Sequence, residues 1–230
     1  ADLKNLVNEA ALQAARENAS EITQAHFQAA LDKIMLGLER GTLKLSEQEK
    51  RAVAYHEAGH AIAGEVLPYA DKTEKVSIVP RGMALGVRWS RPEERILMSK
   101  EHLEDSLAMT LAGRAAEELF VGTITTGAAG DFKQATALAK QMVLDWGMGD
   151  HFKNVAWGSN TGPIFLGEEI AKKQDHSEET SRLIDADIRA ILDRAYERAK
   201  EVLAAHAEAV HKLAAELLER EVVQGERGRE

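Results

Sequence analysis

The chain has 230 residues, is 44% hydrophobic, and carries 29 basic against 38 acidic residues for a formal net charge of −9. A chain this acidic, with no basic cluster, is a poor non-specific binder of nucleic acid. The absence of cysteine excludes disulfides, thiol catalysis and cysteine-ligated zinc or iron–sulfur sites.

The N-terminus does not have the pattern of a signal peptide, and no run of about 18 apolar residues occurs. The sequence therefore predicts no membrane-spanning segment, and we expect the chain itself to be soluble. Because it starts without methionine and already in helical register, we expect it to be part of a longer protein.

The first 40 residues predict a helical hairpin. Apolar residues recur at helical spacing over residues 1–18, Thr23 can cap a second helix, and Gly37 and Gly41 mark its end. About 40 residues bury little surface alone. We therefore expect this hairpin to pack against sequence outside the chain.

The next elements are a long helix and a short hairpin. Ser46 and Glu49 fit a capping box, so a helix is predicted from there to about Leu67, before Pro68. Apolar residues then alternate in two short segments between residues 76 and 89, which predicts two strands.

The remainder of the chain reads as mainly helical. Ser99 is placed to cap a helix that reaches about Phe120, and a Gly/Thr-rich turn at 122–130 precedes another helix that ends near Gly147. Residues 147–176 predict loop with one short strand. Ser177 opens the last helical region, which continues to about residue 218, and the charged end from residue 223 is predicted to fray. The predicted fold class is mainly α-helical with a small β-hairpin or sheet.

Residues 56–60 read His-Glu-Ala-Gly-His inside the long helix. Histidines four apart lie on one helix face, so His56 and His60 can converge on one ion, and zinc accepts imidazole nitrogens in a tetrahedral site. Such a zinc lowers the pKa of bound water to roughly 7 and polarises a peptide carbonyl. Glu57 projects toward the water position and can take its proton and deliver it to the leaving amine.

The alternative to a zinc site is a coincidental helical pair of histidines. Gly59 within the motif favours a functional or close-packed helix, because glycine costs about 1 kcal/mol relative to alanine in a helix interior. Something is therefore expected to approach the backbone closely at this position.

A catalytic zinc site needs a third protein ligand. A histidine six residues beyond the motif is excluded, since Val66 occupies that position. Asp131, at the start of a helix, is favoured by its ionised state near the helix dipole, but on spacing alone it reads as a capping or first-turn acid. The residues themselves leave six candidates open: Glu101, His102, Glu104, Glu117, Glu118 and Asp131.

Several longer segments carry a resemblance to a known family. They are residues 1–11, Tyr55 to Ala61, Ile78 to Gly82, Ala84 to Val87, Gly113 to Glu118, Thr126 to Asp131, and Phe165-Leu166-Gly167. On these segments the sequence resembles the FtsH-type ATP-dependent membrane proteases, and the likeness covers essentially the whole chain.

The resemblance implies a zinc endopeptidase with one Zn²⁺ per chain. It makes Asp131, in the Thr-Gly-Ala-x-x-Asp segment, the third ligand beside His56 and His60, with Glu57 as the catalytic residue. It also implies that Glu117 orients a histidine ligand; a surface helical acid is the alternative.

The resemblance also divides the chain. Residues 1–40 would be the closing helices of an ATPase lid, residues 41–222 a helical zinc metalloprotease domain, and residues 223–230 a charged C-terminal tail. No Gly-x-x-x-x-Gly-Lys-Ser/Thr phosphate loop occurs, so ATP would be bound only by an ATPase core outside this chain.

The parent protein would be a homo-hexamer anchored in the inner or cell membrane, with this domain on the cytoplasmic side. Its substrates would be unfolded or misassembled membrane and soluble proteins. The segment Lys75 to Trp89 could present a strand edge to an extended substrate, although an ordinary packed hairpin is the alternative. A competing hypothesis is a ring-assembly module without activity in isolation.

Overall fold

A computed structural model describes residues 2–36, 45–80, 85–90, 97–157 and 177–225. These residues confirm a mainly helical fold with a small antiparallel sheet. The elements are α1 (Asp2–Arg16), α2 (Gln24–Leu36), α3 (Glu47–Val66), β1 (Thr73–Ser77), β2 (Val87–Ser90), α4 (Lys100–Ala116), α5 (Ala129–Leu144), α6 (Glu178–Ala205), α7 (Ala207–Arg220) and β3 (Val222–Gln224). A π-helical turn, Glu117–Val121, follows α4, and a 3₁₀ turn, Thr126–Ala128, precedes α5.

The predicted N-terminal hairpin is formed by α1 and α2, which pack on each other through small residues. Ala10, Ala14 and Ala30 are buried between them. An ion pair between Asp32 of α2 and Lys75 of β1 joins this hairpin to the rest of the molecule. The expected end of α2 at Gly37 and Gly41 lies outside the described residues.

Helix α3 begins as the sequence predicts. The Ser46 hydroxyl accepts a hydrogen bond from the Glu49 backbone N–H, and the Glu49 carboxylate accepts one from the Ser46 backbone N–H. At the other end, the Lys72 ammonium donates to the carbonyl oxygens of Gly64, Glu65 and Leu67 at 3.3, 2.9 and 3.3 Å. A cation at the C-terminal carbonyls satisfies groups that have no partner within the helix.

Helices α3 and α4 pack unusually close together, and glycine makes this possible. A Cβ added at Gly59 would lie 2.5 Å from the Ala112 carbonyl oxygen and 2.7 Å from the Ala116 Cβ. The expected close approach at Gly59 is thus confirmed, and the neighbour is the backbone of α4.

The sheet has the strand order β2-β1-β3, with both pairs antiparallel. The interpretation that the chain frays from Val223 is wrong for the first residues of that stretch. Val76 of β1 pairs with Val223 of β3, and the Val223 side chain is buried. Residues 226–230, the end of the predicted tail, lie outside the described residues.

The C-terminal helical region packs against α3, α4 and α5. The helical region predicted from Ser177 to about residue 218 is confirmed, and it consists of two helices, α6 and α7, that meet at His206. One buried apolar cluster joins α3, α4 and α7, and a second joins α4, α5 and α6. Residues 147–157 contain no strand, and the rest of the predicted 147–176 loop lies outside the described residues, as does Phe165-Leu166-Gly167.

Replacing Gly59 by alanine should destabilise the protein although alanine is the better helix former. The added methyl group meets a backbone oxygen at 2.5 Å that cannot rotate away, so the overpacking cost should lie in the upper part of its usual range, about 2–3 kcal/mol, against a helix gain of about 1 kcal/mol. We expect the free energy of unfolding to fall by about 1–2 kcal/mol in urea titrations.

The matched control for that substitution is Gly130→Ala, because a Cβ there meets nothing within 4 Å. The control should lose no stability. Equal stability of Gly59→Ala and the unchanged chain would contradict the role assigned to this helix contact.

Candidate metal centre

The two histidines of the His-Glu-Ala-Gly-His motif face each other on α3. Their Nε2 atoms are 3.1 Å apart, and the ring centroids are separated by 4.7 Å. The side chains of His56 and His60 are only 11% and 12% exposed. The predicted convergence of both imidazoles on one point is confirmed.

Helix α4 and the π-helical turn that follows it fix the orientation of both rings. The Nδ1 atom of His60 lies 2.8 Å from the Met109 carbonyl oxygen, and the Nδ1 atom of His56 lies 2.7 Å from Oε1 of Glu117. Both partners are acceptors, so each Nδ1 atom carries the hydrogen and donates it. When neither Nε2 atom is protonated, each presents its lone pair to the space between the rings, as metal binding requires.

Gly113 makes room for the histidines between these two contacts. A Cβ at Gly113 would lie 2.5 Å from the His60 Nε2 and 2.7 Å from the His56 Nε2. Met109 and Gly113 of α4 and Glu117, the first residue of the π-helical turn, are spaced four residues apart, so they form one stripe opposite the histidine pair. Sequence reasoning assigned no role to Met109 or Gly113, although the matching four-residue spacing could have indicated it.

The π-helical turn after α4 separates two neighbouring glutamates. Glu117 is buried at 1% exposure and accepts hydrogen bonds from His56 and from the Thr125 backbone N–H at 2.7 Å. These bonds and the nearby imidazolium lower the pKa of Glu117, although burial opposes this. Glu118 points the other way and pairs with Tyr196 and Lys200.

Asp131 completes the constellation from the first turn of α5. Its Oδ2 atom lies 3.2 Å from the His56 Nε2 and 3.6 Å from the His60 Nε2. Burial raises the pKa of Asp131, but its hydrogen bonds to the two histidines outweigh that effect and hold the pKa well below its usual range. The carboxylate is therefore ionised, as a ligand for a divalent cation must be.

The three donor atoms have the spacing of a metal site. In a tetrahedral zinc site with bonds of roughly 2.0–2.1 Å, neighbouring ligand atoms lie about 3.3 Å apart. The observed separations of 3.1, 3.2 and 3.6 Å surround that value. Among the described residues, His56, His60 and Asp131 form the only group of three or more such side chains placed to hold a metal ion. The residues present fit zinc.

Glu57 lies beside the metal centre, at the floor of a cleft. Its side chain is buried, and burial raises its pKa, although the two histidines oppose the shift. Gly86, next to β2, packs on it so closely that a Cβ there would lie 2.6 Å from the Glu57 Oε1. A carboxylate with a raised pKa suits a group that accepts a proton and then returns it.

The cleft has a volume of about 860 Å³ and passes over the metal centre. It is lined by residues of α3, β2 and α4 and by the segment 125–134. Strand β2 forms one wall, so the backbone of an edge strand flanks the histidines, Glu57 and Asp131.

The other acids and the histidine considered as third ligands lie elsewhere. Glu101, His102 and Glu104 occupy the first turns of α4, where His102 packs against the Tyr69 ring at a centroid distance of 4.6 Å. Glu118 is held by Tyr196 and Lys200. In the part of the chain that the structure describes, none of them joins the metal-binding group.

A histidine pair and a carboxylate around one metal position, with a buried glutamate beside it in an open cleft, define a zinc metallopeptidase centre on a helical scaffold. Comparison with known families agrees. Residues 43–230 match the model of peptidase family M41, and residues 1–29 match that of the AAA+ lid domain. The chain belongs to peptidase family M41.

Two similar proteins are both named as ATP-dependent zinc metalloproteases. The chain is 49% identical over 226 residues to the ATP-dependent zinc metalloprotease FtsH 2 of Salinibacter ruber, covering 98% of this chain and 33% of that protein. It is 46% identical to the ATP-dependent zinc metalloprotease FtsH of Acidobacterium capsulatum over 224 residues, which are 97% of this chain and 35% of that protein. The chain thus spans about a third of the length of these relatives. Within its described residues, no helix is long and apolar enough to cross a bilayer.

Zinc affinity should rise steeply with pH. Burial lowers the pKa of His56, but Asp131 and Glu117 outweigh it and raise the pKa to about 10 in the metal-free chain. Below that pH a proton occupies the position that zinc needs, so zinc must displace it. We expect about tenfold tighter binding per pH unit between pH 7 and 9 and release of about one proton per zinc.

Chelator competition at several pH values, and calorimetry in buffers of different ionisation enthalpy, measure these two quantities. An affinity that does not change between pH 7 and 9 would contradict the protonated state of the metal-free site. Exposed His206 on the same chain offers a check, because its replacement by glutamine should leave the pH dependence unchanged.

Proposed function

We propose that this chain is the zinc endopeptidase part of an ATP-dependent, membrane-anchored protease that degrades unfolded or misassembled proteins. The observation that carries the proposal is the convergence of His56, His60 and Asp131 on one position, with Glu57 beside it in an open cleft. The names of the relatives, which describe ATP-dependent zinc metalloproteases, support the same function.

In the proposed reaction His56, His60 and Asp131 hold the zinc. When bound, zinc supplies a Lewis acid that polarises the scissile carbonyl and lowers the pKa of water. Glu57 removes a proton from the attacking water and delivers it to the leaving amine nitrogen, so it ends the cycle ionised as it began. Glu117 keeps His56 in the tautomer that binds metal, and the Met109 carbonyl does so for His60.

Strand β2 is proposed to bind the substrate. It pairs with β1 on one side, and in the described ranges no other strand pairs with it. An extended peptide can add to this edge through backbone hydrogen bonds, which read no side chains. Such binding suits an enzyme that acts on unfolded chains of many sequences, and it places the peptide along the cleft wall over the metal centre.

The proposal for the parent protein rests on the family. Residues 1–40 would close an ATPase lid, residues 41–222 would form the protease domain, and residues 223–230 would form a tail. The AAA+ lid match to residues 1–29 supports a motor outside this chain. The parent is proposed to be a homo-hexamer in the inner or cell membrane, with this domain on the cytoplasmic side.

Glu57→Gln should abolish cleavage while zinc binding persists. Glutamine keeps the size of the side chain but cannot accept the water proton, and loss of a general base typically lowers kcat by about 10²–10⁴-fold. Cleavage of unfolded casein and zinc content by atomic absorption are measured together. Glu47→Gln, on the exposed first turn of the same helix, is the control and should change neither quantity.

Cleavage at the unchanged rate by Glu57→Gln would contradict the role of Glu57 as general base. A wild-type chain that binds zinc but cleaves neither casein nor a short unstructured peptide would favour the alternative, an assembly module without activity in isolation.

Asp131→Ala should lose zinc affinity. The substitution removes one of three protein ligands and leaves the two imidazoles in place on α3. Zinc competition with a chelating dye measures the dissociation constant, and we expect an increase of at least about 100-fold. Asp185→Ala, at an exposed position of α6, is the matched control. Undiminished affinity in Asp131→Ala would return this residue to the role of a helix-terminal acid.

A further inference from the structure

The metal ligand Asp131 stands in the first turn of α5, directly after an exposed segment of the chain. The chain leaves the π-helical turn at Gly122 and reaches α5 without forming any strand, and residues 123–127 are exposed. Yet the Asp131 carboxylate must stay within about 3–4 Å of two histidines on another helix. The packing of α5 on α4 and α6 places this turn roughly, and contacts to the residues around Asp131 can fix it further.

Arg114 contacts this segment on both sides of the ligand. Its Nη1 donates to the Thr125 carbonyl oxygen at 3.0 Å, six residues before Asp131. Its guanidinium carbon lies 5.6 Å from the centre of the Phe132 ring, directly after Asp131. The Arg114 guanidinium therefore links Thr125, which precedes Asp131 in the chain, to Phe132, which follows it.

Arg114 also follows Gly113 on α4, so it is placed by the same stripe that positions the histidines. Thr125 is held a second time, because its backbone N–H donates to Glu117 Oε2 at 2.7 Å. Glu117 in turn accepts from His56. The carbonyl of Thr125 is thus bound by Arg114 and its N–H by Glu117, three residues later in the chain.

Arg114 also lies beside Tyr196, with which it shares a hydrogen bond, and its charge helps to lower the pKa of Glu118. In the described part of the chain, no carboxylate lies within ion-pair distance of its guanidinium, and nearby Glu118 is held by Lys200 at 3.3 Å. Arg114 is also absent from the residues that line the cleft, so it does not touch a substrate there. Its contacts to the Thr125 carbonyl and the Phe132 ring are those of a group that positions backbone.

We propose that Arg114 is a positioning residue for the zinc site. It clamps Thr125 and Phe132 so that Asp131 meets the metal held by His56 and His60. This inference rests on the proposed role of Asp131 as a ligand, and it assigns to Arg114 a function that acts through that residue alone.

The test compares zinc binding by the full 230-residue chain and by Arg114→Gln. We expect the zinc dissociation constant to rise about 10-fold or more, in the range typical for groups that orient a metal ligand. With Co²⁺ in place of zinc, the visible absorption of the four-coordinate ion should weaken or shift. Arg182→Gln, at an exposed position of α6, should behave like the unchanged chain.

A double-mutant cycle separates positioning from a general effect on folding. If Arg114 acts through Asp131, Arg114→Gln should change the zinc affinity of Asp131→Ala by less than about twofold. A full additional loss in that background would overturn the inference. So would an unchanged dissociation constant and Co²⁺ spectrum in Arg114→Gln when Asp131→Ala itself loses zinc.

Arg114→Lys keeps the experiment decisive if the glutamine variant unfolds. Lysine can still donate to the Thr125 carbonyl but lacks the plane that covers Phe132, so affinity should lie between those of the arginine and glutamine chains. A lysine chain that folds normally yet binds zinc as tightly as the arginine chain would contradict the clamp. If Asp131→Ala retains zinc, the ligand assignment fails first, and the two failures are thereby distinguished.

Discussion

The close contact between α3 and α4 is the constraint on which the site depends. Gly59 lets the α4 backbone reach α3, and Gly113 lets the two imidazoles of α3 lie against α4. Neither glycine has room for a Cβ atom. A side chain at either position would therefore push the two helices apart and move the histidines. The contact that builds the core also sets the geometry of the metal centre.

That contact has an electrostatic consequence. Each Nδ1 atom meets an acceptor, the Met109 carbonyl of α4 or Glu117 at the start of the π-helical turn, so both Nε2 atoms point into one space at a separation of 3.1 Å. Two lone pairs and the Asp131 carboxylate in a partly buried space strongly favour a cation. In the metal-free chain the cation is a proton, which explains why the pKa of His56 rises to about 10 despite burial. The same arrangement favours a divalent ion whenever one is available.

Local signals made much of this predictable. The capping box at Ser46, the helix that carries His56 and His60, and the close approach at Gly59 all follow from short-range rules. Asp131 is different, because spacing alone makes it a helix-terminal acid, and only the resemblance to a family made it a ligand. The approach of α5 to α3 is a tertiary contact that no local pattern encodes.

Two further features lay beyond local reasoning for the same physical reason. Strand β3 is three residues long at the start of a charged stretch, and its partner β1 lies about 150 residues earlier in the chain. The inward direction of Glu117 depends on the π-helical turn that begins there, which shifts neighbouring side chains off the regular helical spacing. Contacts between residues far apart in the sequence determine both the pairing of β3 and the direction of the Glu117 side chain.

Helix α4 and the π-helical turn after it preset both imidazoles to bind metal through Nε2. A crystal structure of the zinc-loaded chain, with anomalous diffraction measured at the zinc edge, tests it most directly. We expect one anomalous peak bonded to Nε2 of His56, Nε2 of His60 and a carboxylate oxygen of Asp131, with the Nδ1 contacts to Glu117 and the Met109 carbonyl retained. A zinc ion bound through Nδ1 of either histidine, or bound away from these three side chains, would contradict it.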